Sequence, residues 1–101
     1  MSEQREVAEF LAENEMTAPP AYRLLDLVAE VGEVAADAAK SSEYGEDPDS
    51  LSVPDDELGD ALFALLALAE ELDTDAGDAL ATSLSKYEAR IDADGDAGSG
   101  A

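Results

Sequence analysis

The chain has 101 residues, with 26 Asp and Glu against 5 Lys and Arg and a net charge of −21 at pH 7. Such a field repels nucleic acid and excludes a nucleic-acid-binding role. The sequence contains neither Cys nor His, which excludes disulfides, thiolate chemistry and imidazole as a base or zinc ligand, so acid–base chemistry would fall to carboxylates, lysine, tyrosine or metal-bound water.

The charge also indicates the environment of the protein. An excess of carboxylates is typical of cells with molar internal salt, where the Debye length is about 3 Å and self-repulsion is screened. A disordered acidic chain and an acidic mimic of DNA are the alternatives. The regular apolar spacing argues against disorder, and motifs that look buried argue against the mimic. No signal peptide is recognisable, and the longest uncharged apolar run, residues 61–69, is far shorter than the roughly 20 residues of a membrane span. We therefore expect a halophilic-type cytoplasmic protein that does not enter a membrane.

The apolar periodicity predicts an all-α domain of four main helices, with no alternating strand pattern. The first helix covers residues 2–14. The second begins at Pro19-Pro20, because proline is tolerated in a first turn, and continues to about Lys40. Its apolar positions are expected to face the core: Leu24, Leu27, Val28, Val31, Ala35 and Ala38.

The second half of the chain is predicted to hold two more helices after a loop at residues 41–53. The third helix begins at Pro54 and is apolar on nearly every side over residues 61–69, which indicates a subunit interface. The fourth is capped by Thr74 or Asp75, and its apolar stripe consists of Leu80, Leu84, Tyr87 and Ile91. The domain should span residues 1–92, and a disordered acidic, glycine-rich tail should occupy residues 93–101.

Two matching motifs, Glu30-Val31-Gly32-Glu33 and Glu57-Leu58-Gly59-Asp60, each place two carboxylates three residues apart on one helix face. If the two helices pack side by side, four carboxylates converge, and their repulsion calls for a cation. Mg²⁺ takes such oxygen ligands and leaves positions for phosphate, so the motifs predict a magnesium site. The alternative is that both pairs are solvated surface, since about a quarter of the residues are acidic.

Two further features accompany the motifs. Glycine inside a helix is about 1 kcal/mol less favourable than alanine, so Gly32 and Gly59 are expected to mark a close approach of the two helices. Beside the apolar face of the second helix runs an acidic stripe at spacings of 4, 3 and 4, consisting of Asp26, Glu30, Glu33 and Asp37.

The segments LVAEVGE and ELGDALFALLALAEEL resemble the MazG-like all-α nucleoside triphosphate pyrophosphohydrolases, whose signature is E-E-x-x-E, a spacer and E-x-x-D. The resemblance covers residues 22–90. It implies a helical bundle in a homodimer or homotetramer, hydrolysis of a (deoxy)nucleoside triphosphate to monophosphate and pyrophosphate, and a house-cleaning role. It also implies that Mg²⁺, or alternatively Mn²⁺, is bound by Glu30, Glu33, Glu57 and Asp60.

In such a mechanism the metal bridges the triphosphate and a water attacks the α-phosphorus. Glu30 and Glu33 are the catalytic candidates, with Glu33 or hydroxide on the metal as proton acceptor. Lys86, Arg90 and Arg23 are candidates for phosphate contacts, and the alternative for these cations is surface ion pairing.

This sequence departs from the signature at Ala29, which stands where the first acid is found. Asp26, one turn earlier, is a candidate auxiliary acid. The departure supports a second hypothesis, a catalytically weak or inactive relative that serves as a helical assembly or nucleotide-binding regulatory module. A third hypothesis is a plain acidic bundle whose motifs are surface.

Overall fold

The computed structural model describes residues 2–95, which form four α-helices, one short 3-10 turn and no strand. The predicted all-α fold is thereby confirmed for this part of the chain. The helices are α1 (Ser2–Glu13), α2 (Pro20–Ser41), α3 (Asp55–Glu71) and α4 (Ala76–Asp94), and the 3-10 turn is Pro48–Ser50. No helix within the described residues is long and apolar enough to cross a membrane.

The helix ends follow the chemistry of their terminal residues. Pro20 opens α2, where its missing N–H is not needed. Asp75 caps α4, because its carboxylate accepts a hydrogen bond from the Asp78 N–H at 2.9 Å. Gly95 ends α4 in the left-handed conformation, with φ 73°. The helix thus reaches two residues into the predicted tail, and residues 96–101, the rest of that tail, lie outside the described residues.

The second and third helices form an antiparallel hairpin, and its two ends define the register. Near the start of α2, the Nε atom of Arg23 lies 3.6 Å from Oε1 of Glu71 in the last turn of α3. Near the end of α2, Asp37 meets Glu57 in the first turn of α3. Side chains of α2 and α3 therefore face each other at every level between these two contacts.

The first helix packs across α3 and also holds the turn into α4. The rings of Phe10 and Phe63 meet edge to face, with centroids 5.7 Å apart. Gln4 is buried, and its Nε2 atom donates to the Thr74 carbonyl while its Oε1 accepts from the Ala76 N–H, both at 2.7 Å. A polar residue in the first turn of an amphipathic helix gives no sequence signal of such a role.

The face of α2 that packs on α3 differs from the predicted one. Leu24, Val28 and Val31 are each at least half exposed, and Ala35 is exposed as well, so the prediction that these four residues face the core is wrong. Leu27 and Ala38 are partly buried. The buried or partly buried positions near α3 belong mainly to the neighbouring stripe: Arg23, Leu27, Glu30, Val34 and Asp37. Both stripes have the same helical spacing, so periodicity alone does not distinguish them.

A single chain leaves much apolar surface uncovered. In α3 the buried residues are Ala64, Leu66, Ala67 and Ala69, whereas Leu62 and Leu65 are exposed. In the described chain no helix packs along α4, and its whole predicted stripe is exposed, including Tyr87. The radius of gyration is 16.4 Å, compared with about 13 Å for a compact domain of this length. The chain is therefore open along α4, where a compact domain would be closed.

Candidate functional site

The predicted carboxylates lie along the contact between α2 and α3, at two levels of the hairpin. At one level Asp26 and Glu30 of α2 share a cavity with Asp60 of α3. At the other, Glu57 of α3 lies near Glu33 and Asp37 of α2. The antiparallel register produces this division, because a residue further along α2 faces a residue earlier in α3.

The cavity at the first level has a volume of about 380 Å³. Its wall is acidic on both helices, and its apolar surface comes from α3: Phe63, Ala64 and Ala67. Asp26, the candidate auxiliary acid, therefore lies in the same cavity as Glu30 and Asp60.

Arg23 is the one basic residue that lines this cavity. Its side chain is 5% exposed, its Nη2 donates to the Met16 carbonyl, and its Nε lies within ion-pair distance of Glu71. The Nε–H makes no hydrogen bond to any residue that the structure describes. The guanidinium thus ties the start of α2 to the end of α3, and its predicted role in phosphate binding stays a prediction.

At the second level, the pKa of Glu57 is raised from 4.5 to about 7. The main cause is a hydrogen bond with the Asp37 carboxyl group, followed by burial and by the negative charges of Asp37, Glu33 and Asp56. The Oε2 atom of Glu57 is shielded from solvent and has no hydrogen-bond donor among residues 2–95. A carboxylate in this position repels its neighbours until a proton or a metal cation binds.

The four predicted metal ligands do not form one compact group in the single chain. Within the described residues, no set of three or more acidic side chains is close enough together to hold a metal ion. Mg²⁺ is commonly held by only one or two carboxylates, with waters and substrate phosphates completing its coordination. The predicted ligands are carboxylate oxygens, and one of them, Oε2 of Glu57, is buried without a hydrogen-bond partner. This donor chemistry fits Mg²⁺ or Mn²⁺, although the single chain does not form a complete set of metal ligands.

The two glycines of the motifs do not mark a close approach within the chain. A Cβ atom added at Gly32 or Gly59 would meet no atom within 4 Å. The expectation of close helix contact at these positions is therefore wrong for the described hairpin. Both glycines are exposed, so they lie away from the surface that joins α2 to α3.

The two cations of α4 lie apart from the acidic cavity. Nζ of Lys86 is 5.1 Å and Cζ of Arg90 is 5.7 Å from the centroid of the Tyr87 ring, so both cations lie close to the same aromatic ring. Neither residue lines the cavity that contains Glu30 and Asp60. Their assignment to substrate phosphate therefore remains a prediction that depends on how copies of the chain assemble.

The fold and the site together define an all-α domain with a carboxylate-lined helical hairpin. The chain matches the sequence model of the MazG nucleotide pyrophosphohydrolase domain over residues 19–93, which is most of its length and includes α2, α3 and α4. It belongs to this family, as the resemblance of the two acidic motifs predicted. No curated protein and no solved structure is a significant match to the chain.

Proposed function

We propose that this protein is a cytoplasmic, Mg²⁺-dependent nucleotide pyrophosphohydrolase that cleaves (deoxy)nucleoside triphosphates to monophosphate and pyrophosphate. Membership of the MazG family supports this reaction class. The observation that carries the metal requirement is the buried, unpartnered Oε2 of Glu57 beside two further carboxylates of α2. Such a carboxylate binds a divalent cation far better than it tolerates ionisation alone.

Glu30, Glu33, Glu57 and Asp60 would hold the metal, with Mn²⁺ as the alternative to Mg²⁺. When bound, the ion neutralises phosphate charge and favours attack by water at the α-phosphorus. In this proposal Glu33, which is exposed beside Glu57, accepts the proton of that water. Glu30 orients the water from the wall of the cavity, and Asp26 supplies the charge that Ala29 does not.

The triphosphate also needs positive charge, and Arg23 is already committed to Met16 and Glu71. We assign the phosphate contacts to Lys86 and Arg90 in a homodimer or homotetramer. The exposed apolar stripe of α4 supports this assembly, because leaving it in water is unfavourable by about 25 cal/mol per Å². Covering the stripe with a second copy would bring the two cations toward an acidic surface.

A second candidate function is nucleotide binding with little or no turnover. Two observations favour it: Ala29 replaces the first signature acid, and no three acidic side chains in residues 2–95 are grouped closely enough for a metal. In that case the protein would act as a regulatory or assembly module that shares the family's fold.

Pyrophosphate release from a panel of nucleoside triphosphates, measured with Mg²⁺ in molar KCl, tests the proposal. We expect release that stops in EDTA and in Glu33→Gln, and that falls strongly in Glu30→Gln and Asp60→Asn. Glu46→Gln, which removes an exposed loop carboxylate, is the matched control and should retain activity. Absence of release from folded, oligomeric protein that still binds nucleotide would instead establish the second candidate.

A further inference from the structure

One side of α2 carries an uncovered apolar stripe, here called the outer stripe of α2. Its members follow each other at spacings of 4, 3 and 4 residues and are all exposed: Leu24, Val28, Val31 and Ala35. By the helical period of about 3.6 residues, the charged side chains of α2 lie on the opposite half of the helix: Arg23, Asp26, Glu30, Glu33, Asp37 and Lys40. An exposed apolar surface that lacks charge is typical of a protein interaction site.

The fourth helix carries a second uncovered stripe of the same length, here called the α4 stripe. Its members have the same spacings of 4, 3 and 4 residues and are exposed as well: Leu80, Leu84, Tyr87 and Ile91. Each stripe extends over about 17 Å, at a rise of about 1.5 Å per residue. The described chain therefore leaves two apolar helix faces of equal length and equal period without a covering helix.

The side chains of the two stripes differ in size, and the difference is complementary. The outer stripe of α2 is mostly small at Val28, Val31 and Ala35, and a Cβ atom added at the adjoining Gly32 would meet no atom within 4 Å. The α4 stripe consists of two leucines, a tyrosine and an isoleucine. Large side chains on one helix pack efficiently against small ones on a facing helix.

Charge also favours contact between α4 and the body of another chain. Over residues 79–91, α4 has two cations, Lys86 and Arg90, against one anion, Glu88. This stretch is therefore net positive, whereas the whole chain has a net charge of −21. Packing α4 on a second copy brings opposite charges together, whereas packing two acidic hairpins directly on each other brings like charges together.

The turn between α3 and α4 keeps α4 away from the second helix of its own chain. Gln4 binds the Thr74 carbonyl and the Ala76 N–H, which fixes the start of α4 against α1 and α3. In the described chain α4 does not pack along α2. The α4 stripe is thus available to a neighbouring molecule.

We propose that the α4 stripe of a second copy of this chain packs on the outer stripe of α2. A two-fold axis repeats the contact, so that one kind of interface covers both stripes of both chains. The proposal rests on the homo-oligomer of the proposed function, and it names the two surfaces that meet. It also explains why Leu24, Val28, Val31 and Ala35 are exposed in the single chain.

Cysteine cross-linking tests this contact, because the native chain has no cysteine that could react. Tagged Val28→Cys and untagged Leu84→Cys would be co-expressed and treated with a short bis-maleimide in molar KCl. Packed helices lie about 8–10 Å apart, so the reagent spans the contact. We expect most linked dimers to join one tagged chain to one untagged chain. Ser85→Cys, one position away from the α4 stripe, replaces Leu84→Cys as the matched control and should link several-fold less.

Three results would overturn the proposed contact. Links that join only two tagged Val28→Cys chains would show that α2 packs on α2. Linking within one chain of the double variant Val28→Cys/Leu84→Cys, at the mass of a monomer, would show that α4 folds back on its own α2. Equal linking of Leu84→Cys and Ser85→Cys would show that the links report random collisions.

Pyrophosphate release by the native protein separates the failure of this inference from the failure of the proposed function. If Val28→Cys and Leu84→Cys link as expected but the native protein releases no pyrophosphate, the interface stands and the enzymatic function fails. If the native protein releases pyrophosphate and the two variants do not link, the function stands and the interface is refuted.

Discussion

The carboxyl groups of Glu57 and Asp37 meet across the contact between α2 and α3, and this contact raises the pKa of Glu57 from 4.5 to about 7. Folding thus places an acid from the start of α3 beside an acid from the end of α2. Since Glu57 is one of the predicted metal ligands, we expect proton binding and metal binding to compete at its carboxylate.

This relationship predicts how stability depends on pH when no metal is present. The folded pKa of Glu57 lies above its unfolded value, so the folded state binds the proton more tightly. The resulting stabilisation is complete below pH 4.5 and is lost as pH rises through about 7. We expect the melting temperature in EDTA to fall between pH 5 and 8 more steeply for the native protein than for Glu57→Gln. Parallel profiles for the two proteins would contradict this interpretation.

Gln4 should stabilise the turn between α3 and α4. In Gln4→Leu the Thr74 carbonyl and the Ala76 N–H both lose their partner, and we expect a decrease of about 1 kcal/mol in the free energy of unfolding. Chemical denaturation in molar KCl, monitored by the circular dichroism of the helices, measures this decrease in the free energy of unfolding. Glu9→Gln changes an exposed side chain of the same helix and should leave stability nearly unchanged. An equal effect in both variants would show that the hydrogen bonds of Gln4 to Thr74 and Ala76 do not stabilise the fold.

The exposed stripe of α4 predicts that a single charge there disrupts assembly. Leu84→Glu places a carboxylate in the middle of the stripe, and we expect its molar mass by light scattering to fall to that of one chain. Ser85→Glu adds the same charge one position away from the stripe and should remain oligomeric. If the native protein is itself a monomer in molar KCl, the proposed homo-oligomer is wrong.

The net charge of −21 predicts strong stabilisation by salt. At molar ionic strength the Debye length is about 3 Å, so repulsion among surface carboxylates is largely screened. We expect the melting temperature to rise steadily as KCl increases from low concentration to the molar range. A non-ionic osmolyte of equal osmolality is the control and should have a smaller effect. A melting temperature that does not respond to KCl would exclude the interpretation of halophilic adaptation.

The sequence by itself determined the number, order and approximate limits of the helices in the described chain. Pro20 at the start of α2 and Asp75 as the cap of α4 act through local backbone chemistry, which depends on near neighbours alone. The paired acids of the two motifs also carried the family resemblance, because a signature is a property of residue order.

Only the tertiary structure decided which face of α2 packs against α3. Leu24 and Leu27 were predicted to share one core-facing stripe, but the register of the hairpin leaves Leu24 exposed and packs the stripe that contains Leu27, Glu30 and Asp37. The same register places Asp37 beside Glu57. Gln4 likewise acquires its role only because α1 crosses the turn before α4. Local sequence determines the chemistry of a helix face. The helix that packs against that face is determined by long-range contacts, and periodicity contains no information about those contacts.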